Sequence, residues 1–340
     1  PVCSPAPGFY SQYIDVEVTC ESGTLFVNPF GEYPSISDMP YSEAIELGDG
    51  ENTLYAIAVS EEGLVSPLSV FGYTIGGVIK EVTFADPAME EAIRLHLGVD
   101  AEKVLYTNDL WDLTYFTVPS EAKDLSDLSN LIFVEDLAID SAPSGQLSYL
   151  SSLVNITSLQ IRNTPVSTEE LVTIGALPKL QHLTISGCGL ATAAGLETAT
   201  SITKLDLSHN TIRDLTPLQT MTDLQQLYLN NNAINDLTAL IELKSLTKLD
   251  VSYNLLTSLS PVFGCTALSD LSASNNTITS ITGIEKLTAL ETFNASFNTL
   301  SDISPVSSCS NIRELNVSNN MITDISSLSG LVNLFTLDFS

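Results

Sequence analysis

The sequence predicts a multidomain protein in which a small antiparallel β-sandwich precedes an α/β solenoid built on one parallel sheet. Two observations predict the solenoid: a large apolar residue recurs every 22 positions from Leu205 to Leu337, and an asparagine follows five positions after each of the first six. A fixed period of this length is typical of stacked repeats. A third observation predicts the sandwich, because residues 1–78 contain short alternating segments separated by turn residues.

Each repeat is interpreted as a short strand followed by a turn and a coil. In the first regular unit Leu205 and Leu207 alternate along the strand, and apolar residues then recur at every third position. One unit cannot bury these side chains alone, so it must stack on its neighbours. We expect the strands on a concave face and 3₁₀ or extended segments on the convex side. Residues 125–340 form this region, with ten strands counted and a C-terminal end that looks unfinished.

One irregular step interrupts the array near its start. The spacing from Leu159 to Leu183 is 24 residues. The extra length predicts a true helical turn in the loop 166–174, with Ser167 or Thr168 as its N-cap.

The asparagine that ends each strand is predicted to be structural. The chain turns out of the strand at this point, and backbone groups of the adjacent coil need hydrogen-bonding partners. An inward amide offers both donors and an acceptor. The predicted ladder consists of Asn210, Asn232, Asn254, Asn276, Asn298 and Asn320.

A helix is predicted ahead of the repeats. Asp86 is a suitable N-cap, Pro87 suits the first turn, and Gly98 is a stop signal. Residues 79–124 are expected to form a helical cap, because the first repeat would otherwise expose its core to water.

Two of these stretches resemble a known family. Asn-x-Ile-x-Asp-Leu-x-Pro-Leu at 210–218 resembles the bacterial internalin type of leucine-rich repeat, and 84–98 is similar to the helical N-terminal cap of internalin-type proteins. The resemblance implies non-catalytic binding of a protein partner through the concave face. Adhesion to a protein of a host or neighbouring cell is the expected role.

The N-terminal region resembles a second family. The stretches 30–34, Asn52–Val59 and Tyr73–Ile75 resemble the immunoglobulin-like (Ig-like) module at the C-terminus of chitobiases and β-hexosaminidases. That module is an accessory in those enzymes, so the resemblance implies a spacer or binding role without chemistry. It keeps two alternative functions open: a glycan-binding or accessory region of a larger secreted carbohydrate-active enzyme, and a structural cell-wall spacer.

The charge balance limits the partners. The chain has 41 acidic and 12 basic residues and a net charge of −29, which argues against nucleic acid because phosphate contacts come from Lys and Arg. No apolar run approaches the roughly 18 residues that cross a bilayer, so no direct membrane insertion is expected.

The chain begins at Pro1, and we expect a secreted or cell-surface protein whose signal or anchor segment is absent from this chain. Cys3 and Cys20 could form a disulfide, which would fit that location, or remain thiols.

The candidate ligand-binding site is a group of large side chains on the predicted concave face. Residues that alternate with the inward leucines face outward from a strand, and most of them here are small and polar. Aromatic side chains concentrate binding energy in protein interfaces, and they also stack on sugars. The alternative is that the repeat tolerates occasional large outward residues. The hypothesised binding residues are His209, Tyr228, Tyr253, Phe297, Lys204 and Lys248.

No catalytic residue is predicted. His182 and His209 lie on adjacent predicted strands but five strand positions apart, about 17 Å, which excludes a shared metal or a Ser-His-Asp arrangement. No cysteine pair has metal-site spacing, and no glycine-rich phosphate loop occurs. We therefore expect a protein that is not an enzyme, without metal or cofactor, whose partner is a protein or, as the alternative, a glycan.

Overall fold

The computed structural model describes residues 1–10, 14–28, 33–48, 50–75 and 80–340. The chain divides into two compact units. The first comprises Pro1–Thr83 and Leu97–Leu113, and the second comprises Phe84–His96 and Thr114–Ser340. The predicted domain boundary between residues 78 and 79 lies outside the described residues, as does most of the motif at 30–34.

Small sheets form the first unit. Its strands are β1 (Val2–Ser4), β2 (Gly8–Tyr10), β3 (Ile14–Thr19), β4 (Thr24–Asn28), β5 (Ile45–Leu47), β6 (Gly50–Val59) and β7 (Ser69–Ile75). One sheet has the order β1-β3-β5 and is antiparallel, and the other has the order β2-β7-β6-β4, with β2 and β7 parallel. Alternate side chains such as Val16, Val18, Leu54 and Ala56 enter one apolar core. These sheets are compatible with a separate domain, and its Ig-like topology stays a prediction.

Cys3 and Cys20 are free thiols in this unit, so the structure contains no disulfide between them. The register places Cys3 opposite Val18, which leaves Cys20, just past the end of β3, at a diagonal position two residues beyond Val18. Such diagonal neighbours are about 7–8 Å apart, which is longer than the usual Cα separation in a disulfide. The Cys20 thiol instead donates to the carbonyl of Ser22 at 3.3 Å.

One parallel sheet of 11 strands runs through the second unit. Its strands lie in chain order, and the register is in phase, so that Leu205, Leu227 and Leu249 are direct neighbours. This arrangement confirms the predicted stack of repeats. The strands are β8 (Tyr115–Thr117), β9 (Asp136–Asp140), β10 (Ser158–Arg162), β11 (His182–Ser186), β12 (Lys204–Asp206), β13 (Gln226–Tyr228), β14 (Lys248–Asp250), β15 (Asp270–Ser272), β16 (Thr292–Asn294), β17 (Glu314–Asn316) and β18 (Thr336–Asp338).

The strand β8 corrects the predicted count of ten. Phe116 at its centre pairs with Leu137 of β9 and is buried. The pattern missed β8 because Glu121, not asparagine, stands five residues after Phe116. The parallel sheet therefore begins one strand earlier than the leucine period indicates.

The segments that return from one strand to the next are mostly 3₁₀ turns, as predicted. The exception is helix α2 (Thr168–Gly175), which accounts for the 24-residue step. Ser167 is its N-cap: the hydroxyl accepts the N–H of Glu170 at 3.2 Å, and Glu170 accepts the N–H of Ser167 at 2.8 Å. The 3₁₀ turns include Ser126–Asn130, Leu147–Ser152, Thr216–Leu218, Thr238–Leu240, Ser260–Gly264, Ile284–Lys286, Ser304–Ser308 and Ser326–Gly330.

Helix α1 (Pro87–Leu97) is capped by Asp86 and ends before Gly98, as predicted. Gly98 has a φ of +66°, a left-handed conformation that suits glycine after a helix. The ring of His96 packs against Tyr115 on β8, with centroids 4.5 Å apart. This contact joins α1 to the first strand of the sheet.

The carboxylate of Asp86 also connects α1 to the first repeat. Its Oδ1 accepts the N–H groups of Ala88 and Met89 at 2.8 and 3.1 Å, and its Oδ2 accepts those of Lys123 and Asp124 at 2.7 and 3.1 Å. Burial alone would raise the pKa of Asp86, but these four donors hold the pKa below its usual value. The ionised carboxylate is therefore part of the folded structure.

Candidate functional site

The inward side of the sheet is used entirely for folding. Leu205, Leu227 and Leu249 are completely buried. Next to them the amide of Asn254 accepts the N–H of Ile234 at 2.9 Å and donates to the carbonyl of Leu229 at 2.9 Å. The other five ladder asparagines repeat this pattern at neighbouring turns. Each amide thus joins one repeat to the preceding one.

Cys188 replaces asparagine in an early repeat and keeps part of this role. Its thiol donates to the carbonyls of Ile161 and Ser186 at 3.4 and 3.3 Å. Burial raises the pKa of this thiol, so it remains protonated and able to donate.

The outward side of the sheet carries a group of neighbouring side chains, which we call the central group: Lys204, Gln226, Tyr228, Lys248 and Asp270. The Tyr228 hydroxyl donates to Gln226 Oε1 at 3.2 Å, and Lys248 Nζ lies 5.8 Å from the Tyr228 ring centroid. Asp270 accepts from Lys248 at 2.7 Å and raises the pKa of that ammonium group. The sequence-predicted residues Lys204, Tyr228 and Lys248 therefore lie on three consecutive strands.

A shallow hollow of about 220 Å³ lies beside the central group, over β10 to β13. Arg162, His182, Lys204, Asp206 and Tyr228 are among its lining residues. Within the described residues Arg162, His182 and Lys204 form no ion pair. The hollow is small and mostly polar, whereas small-molecule sites are typically larger and apolar. It suits the contact surface of a larger partner.

Arg162 and His182 are additions to the predicted site. Both occupy outward strand positions in the sequence, but their repeats are irregular and neither is a tyrosine or phenylalanine. The observed register places them beside the same hollow as Lys204. The in-phase repeat already puts His182 in one column with Lys204, but it gives no sign that the surface there is hollow.

A column of serines that strand alternation places outward is in fact buried. Its members include Ser208, Ser252, Ser274, Ser296 and Ser318. The regular strands are three residues long, and the chain turns before the alternation reaches this column. Side chains two positions earlier cap that turn, as when Asp250 accepts the N–H of Ser252 at 2.9 Å.

The next position forms what we call the edge row: His209, Asn231, Tyr253, Asn275, Phe297 and Asn319. These residues adopt left-handed backbone conformations, with φ between +53° and +57°. Tyr253 lies three residues beyond Asp250, the strand partner of Tyr228, which corresponds to about 10 Å along the sheet. The large side chains predicted as one cluster therefore form two sets: Tyr228 in the central group, and His209, Tyr253 and Phe297 along the edge row.

The described residues also bear on metal binding and membrane insertion. No three His, Cys, Asp or Glu side chains there converge in a way that could hold a metal ion. In the same part of the chain, each helix is too short or too polar to span a bilayer.

Comparisons with known proteins identify the repeats. A family model described as Leucine Rich repeats (2 copies) matches residues 200–242 and 288–333. None of the curated protein sequences matches the chain.

Solved structures show the same fold at low sequence identity. An internalin (InlF) from Listeria monocytogenes is 23% identical over 76% of this chain and 96% of its own, with a TM-score of 0.52. The functional domain of InlJ from Listeria monocytogenes is 20% identical over 76% of this chain and 60% of its own, with a TM-score of 0.60. The Arabidopsis receptor kinase HAESA, solved with a peptide hormone and a co-receptor, is 21% identical over 66% of this chain and 39% of its own, with a TM-score of 0.54. The chain thus contains leucine-rich repeats and is structurally similar to Listeria internalins.

Proposed function

We propose that this protein is a non-catalytic, secreted or cell-surface adhesion protein that recognises a protein partner through the outward sheet face over β10 to β15. The leucine-rich repeat fold is typical of protein-binding and receptor-like proteins and is generally a non-enzymatic scaffold. The complex of HAESA with a peptide hormone supports a protein or peptide partner.

The central group is the observation that carries this proposal. Tyr228 lies on the sheet face two residues along β13 from Gln226, which accepts a hydrogen bond from its hydroxyl, and Lys248, opposite Gln226 on β14, lies 5.8 Å from its ring centroid. A side chain that is already ordered loses little conformational entropy on binding. Tyrosine also combines apolar contact area with a polar tip, which favours it at the centre of interfaces.

Two exposed cations beside Tyr228 extend the same surface. Arg162 and Lys204 lie at the hollow and form no salt bridge within the described residues, although Arg162 stands opposite Asp140, whose pKa is lowered by a hydrogen bond from Asn163 and also by this guanidinium. In a chain of net charge −29 such groups are unusual. They add polar contacts around an aromatic anchor, which is the common anatomy of a protein interface.

The test uses the full chain with a photo-crosslinker at position 184, beside the hollow. Captured surface proteins are purified, and their affinities are measured directly. Tyr228→Ala is expected to weaken binding about thirty-fold, the effect of losing an interface hot spot of roughly 2 kcal/mol. Tyr149→Ala is the matched control, because this exposed tyrosine lies in a 3₁₀ turn on the coil side.

Equal affinities of Tyr228→Ala and the natural protein for every captured partner would reject this face as the binding site. Failure to capture any partner would favour the structural cell-wall spacer. A partner that crosslinks only through its glycans would favour the accessory role in a carbohydrate-active enzyme.

A further inference from the structure

The edge row contains two side chains that the fold does not require. At these left-handed positions asparagine is well tolerated, and it occupies Asn231, Asn275 and Asn319. Tyr253 and Phe297 adopt the same conformation, with φ of +54° and +53°, although bulky residues there are steric outliers. Both are more than half exposed, at 55% and 53%. Neither burial nor backbone preference explains them, and such outliers point to function.

The geometry arranges the two rings around one amide. Tyr253 and Phe297 follow β14 and β16, two strand spacings or about 10 Å apart, and Asn275 lies between them. Their nearly identical backbone conformations direct the three side chains the same way out of the sheet. Their backbone N–H groups already donate to carbonyls of the following repeat at 2.9 to 3.0 Å. A ligand would therefore meet side chains and could not add to the sheet as a strand.

The strip around the two rings carries little charge. The segments 251–258 and 273–280 contain no Asp, Glu, Lys or Arg, and the equivalent segment 295–302 contains only Asp302 at its end, in a chain with 41 acidic residues. Hydroxyl and amide groups accompany the rings instead, among them Thr277 and Asn275. The net charge of the whole chain disfavours an anionic ligand. Ring faces can attract a cation, but the strip supplies only Asp302 to pair with its charge, whereas its hydroxyl and amide groups can pair with a neutral ligand. The surface is complementary to a neutral, hydroxyl-rich ligand.

We infer that Tyr253, Asn275 and Phe297 form a binding site for a neutral oligosaccharide chain. Ring faces are electron-rich and attract the C–H face of a sugar, while the Asn275 amide can both accept from and donate to hydroxyl groups. One pyranose unit of an extended β-linked chain is about as long as one strand spacing. Alternate sugars of such a chain stack on the two rings, and the sugar between them meets Asn275. This site is distinct from the central group and does not depend on the proposed protein partner.

The test replaces both rings by the residue that the row otherwise prefers. The full chain and its Tyr253→Asn/Phe297→Asn variant are titrated calorimetrically with neutral β-linked oligomers of glucose and of N-acetylglucosamine that span both rings. The natural protein is expected to bind one of these oligomers, and the variant to bind it at least about tenfold more weakly. Because asparagine suits the left-handed backbone, the urea midpoint of the variant should be equal or higher. Tyr149→Ala should bind like the natural protein.

Three results would overturn the inference. The first is failure of the natural protein to bind either oligomer, and the second is unchanged binding by the double variant. The third is a lower urea midpoint of the double variant, because the rings would then serve the fold. Loss of protein-partner binding through Tyr228→Ala leaves this test unaffected, so the two proposals can fail separately.

Discussion

Asn254→Ala tests whether the asparagine ladder stabilises the stacked repeats. Asn254 Oδ1 accepts the N–H of Ile234, and Nδ2 donates to the carbonyls of Leu229 and Val251 at 2.9 and 3.1 Å. Both carbonyls also accept from a neighbouring ladder amide, so they keep a donor in the variant. The N–H of Ile234 is left buried without its partner. Such a loss costs about 1–3 kcal/mol, and we expect Asn254→Ala to lower the free energy of unfolding by about 2 kcal/mol.

Urea unfolding followed by far-UV circular dichroism measures this loss. Asn235→Ala is the control, since it removes an exposed asparagine of the preceding repeat that is outside the ladder and next to Ile234. It should change the free energy of unfolding by less than about 0.5 kcal/mol. Asn254→Cys should lie between the two, because a thiol supplies the donor, as Cys188 does, but is a weak acceptor. If the free energy of unfolding of Asn254→Ala lay within about 0.5 kcal/mol of that of the natural protein, the ladder argument would be refuted.

Three further predictions concern other parts of the chain. Gly283→Ala should destabilise the protein by about 1–3 kcal/mol, because Gly283 has a φ of +109° and an added Cβ would lie 2.6 Å from an aromatic ring of the preceding repeat. In the same thermal unfolding measurement Gly330→Ala, whose added Cβ meets nothing within 4 Å, should be nearly neutral. Burial raises the pKa of Cys309 to about 11, so mass spectrometry after alkylation at neutral pH should find Cys20 modified first; early modification of Cys309 would show that its repeat opens. The lowered pKa of Asp86 gives a stability contribution that is present above its usual pKa, about 3.9, and is lost as the pH falls through the lowered value. The variant Asp86→Asn should therefore be less stable than the natural protein at neutral pH and lose less stability in acid. Equal acid sensitivity of the two proteins would contradict this.

The repeat array was largely predictable because one constraint is imposed many times. A leucine at every 22nd residue can be buried only if successive strands pair in phase, and Leu205 and Leu227 do so. The strand β8 escaped prediction because a single inward Phe116, without the following asparagine, resembles many short apolar segments.

The candidate site was less predictable, because outward residues carry no folding constraint. Alternation predicts that Tyr228 and Lys248 lie on the strand face, as observed. The same rule does not hold at Tyr253 and Phe297, because these residues lie beyond the ends of their strands. The left-handed turn that separates these residues from Tyr228 depends on where the three-residue strand stops. The period fixes the spacing between equivalent residues, whereas that stopping point comes from backbone hydrogen bonds between repeats.

Because the register is in phase, the number of repeats between two edge-row residues sets the distance between their side chains. Duplication or deletion of one 22-residue unit between Tyr253 and Phe297 would change their separation by one strand spacing, about 4.8 Å, while every leucine kept an equivalent neighbour. Gain or loss of whole repeat units in the gene can therefore change the length of ligand that the proposed edge-row site would span. The packing on the buried side of the sheet would stay the same.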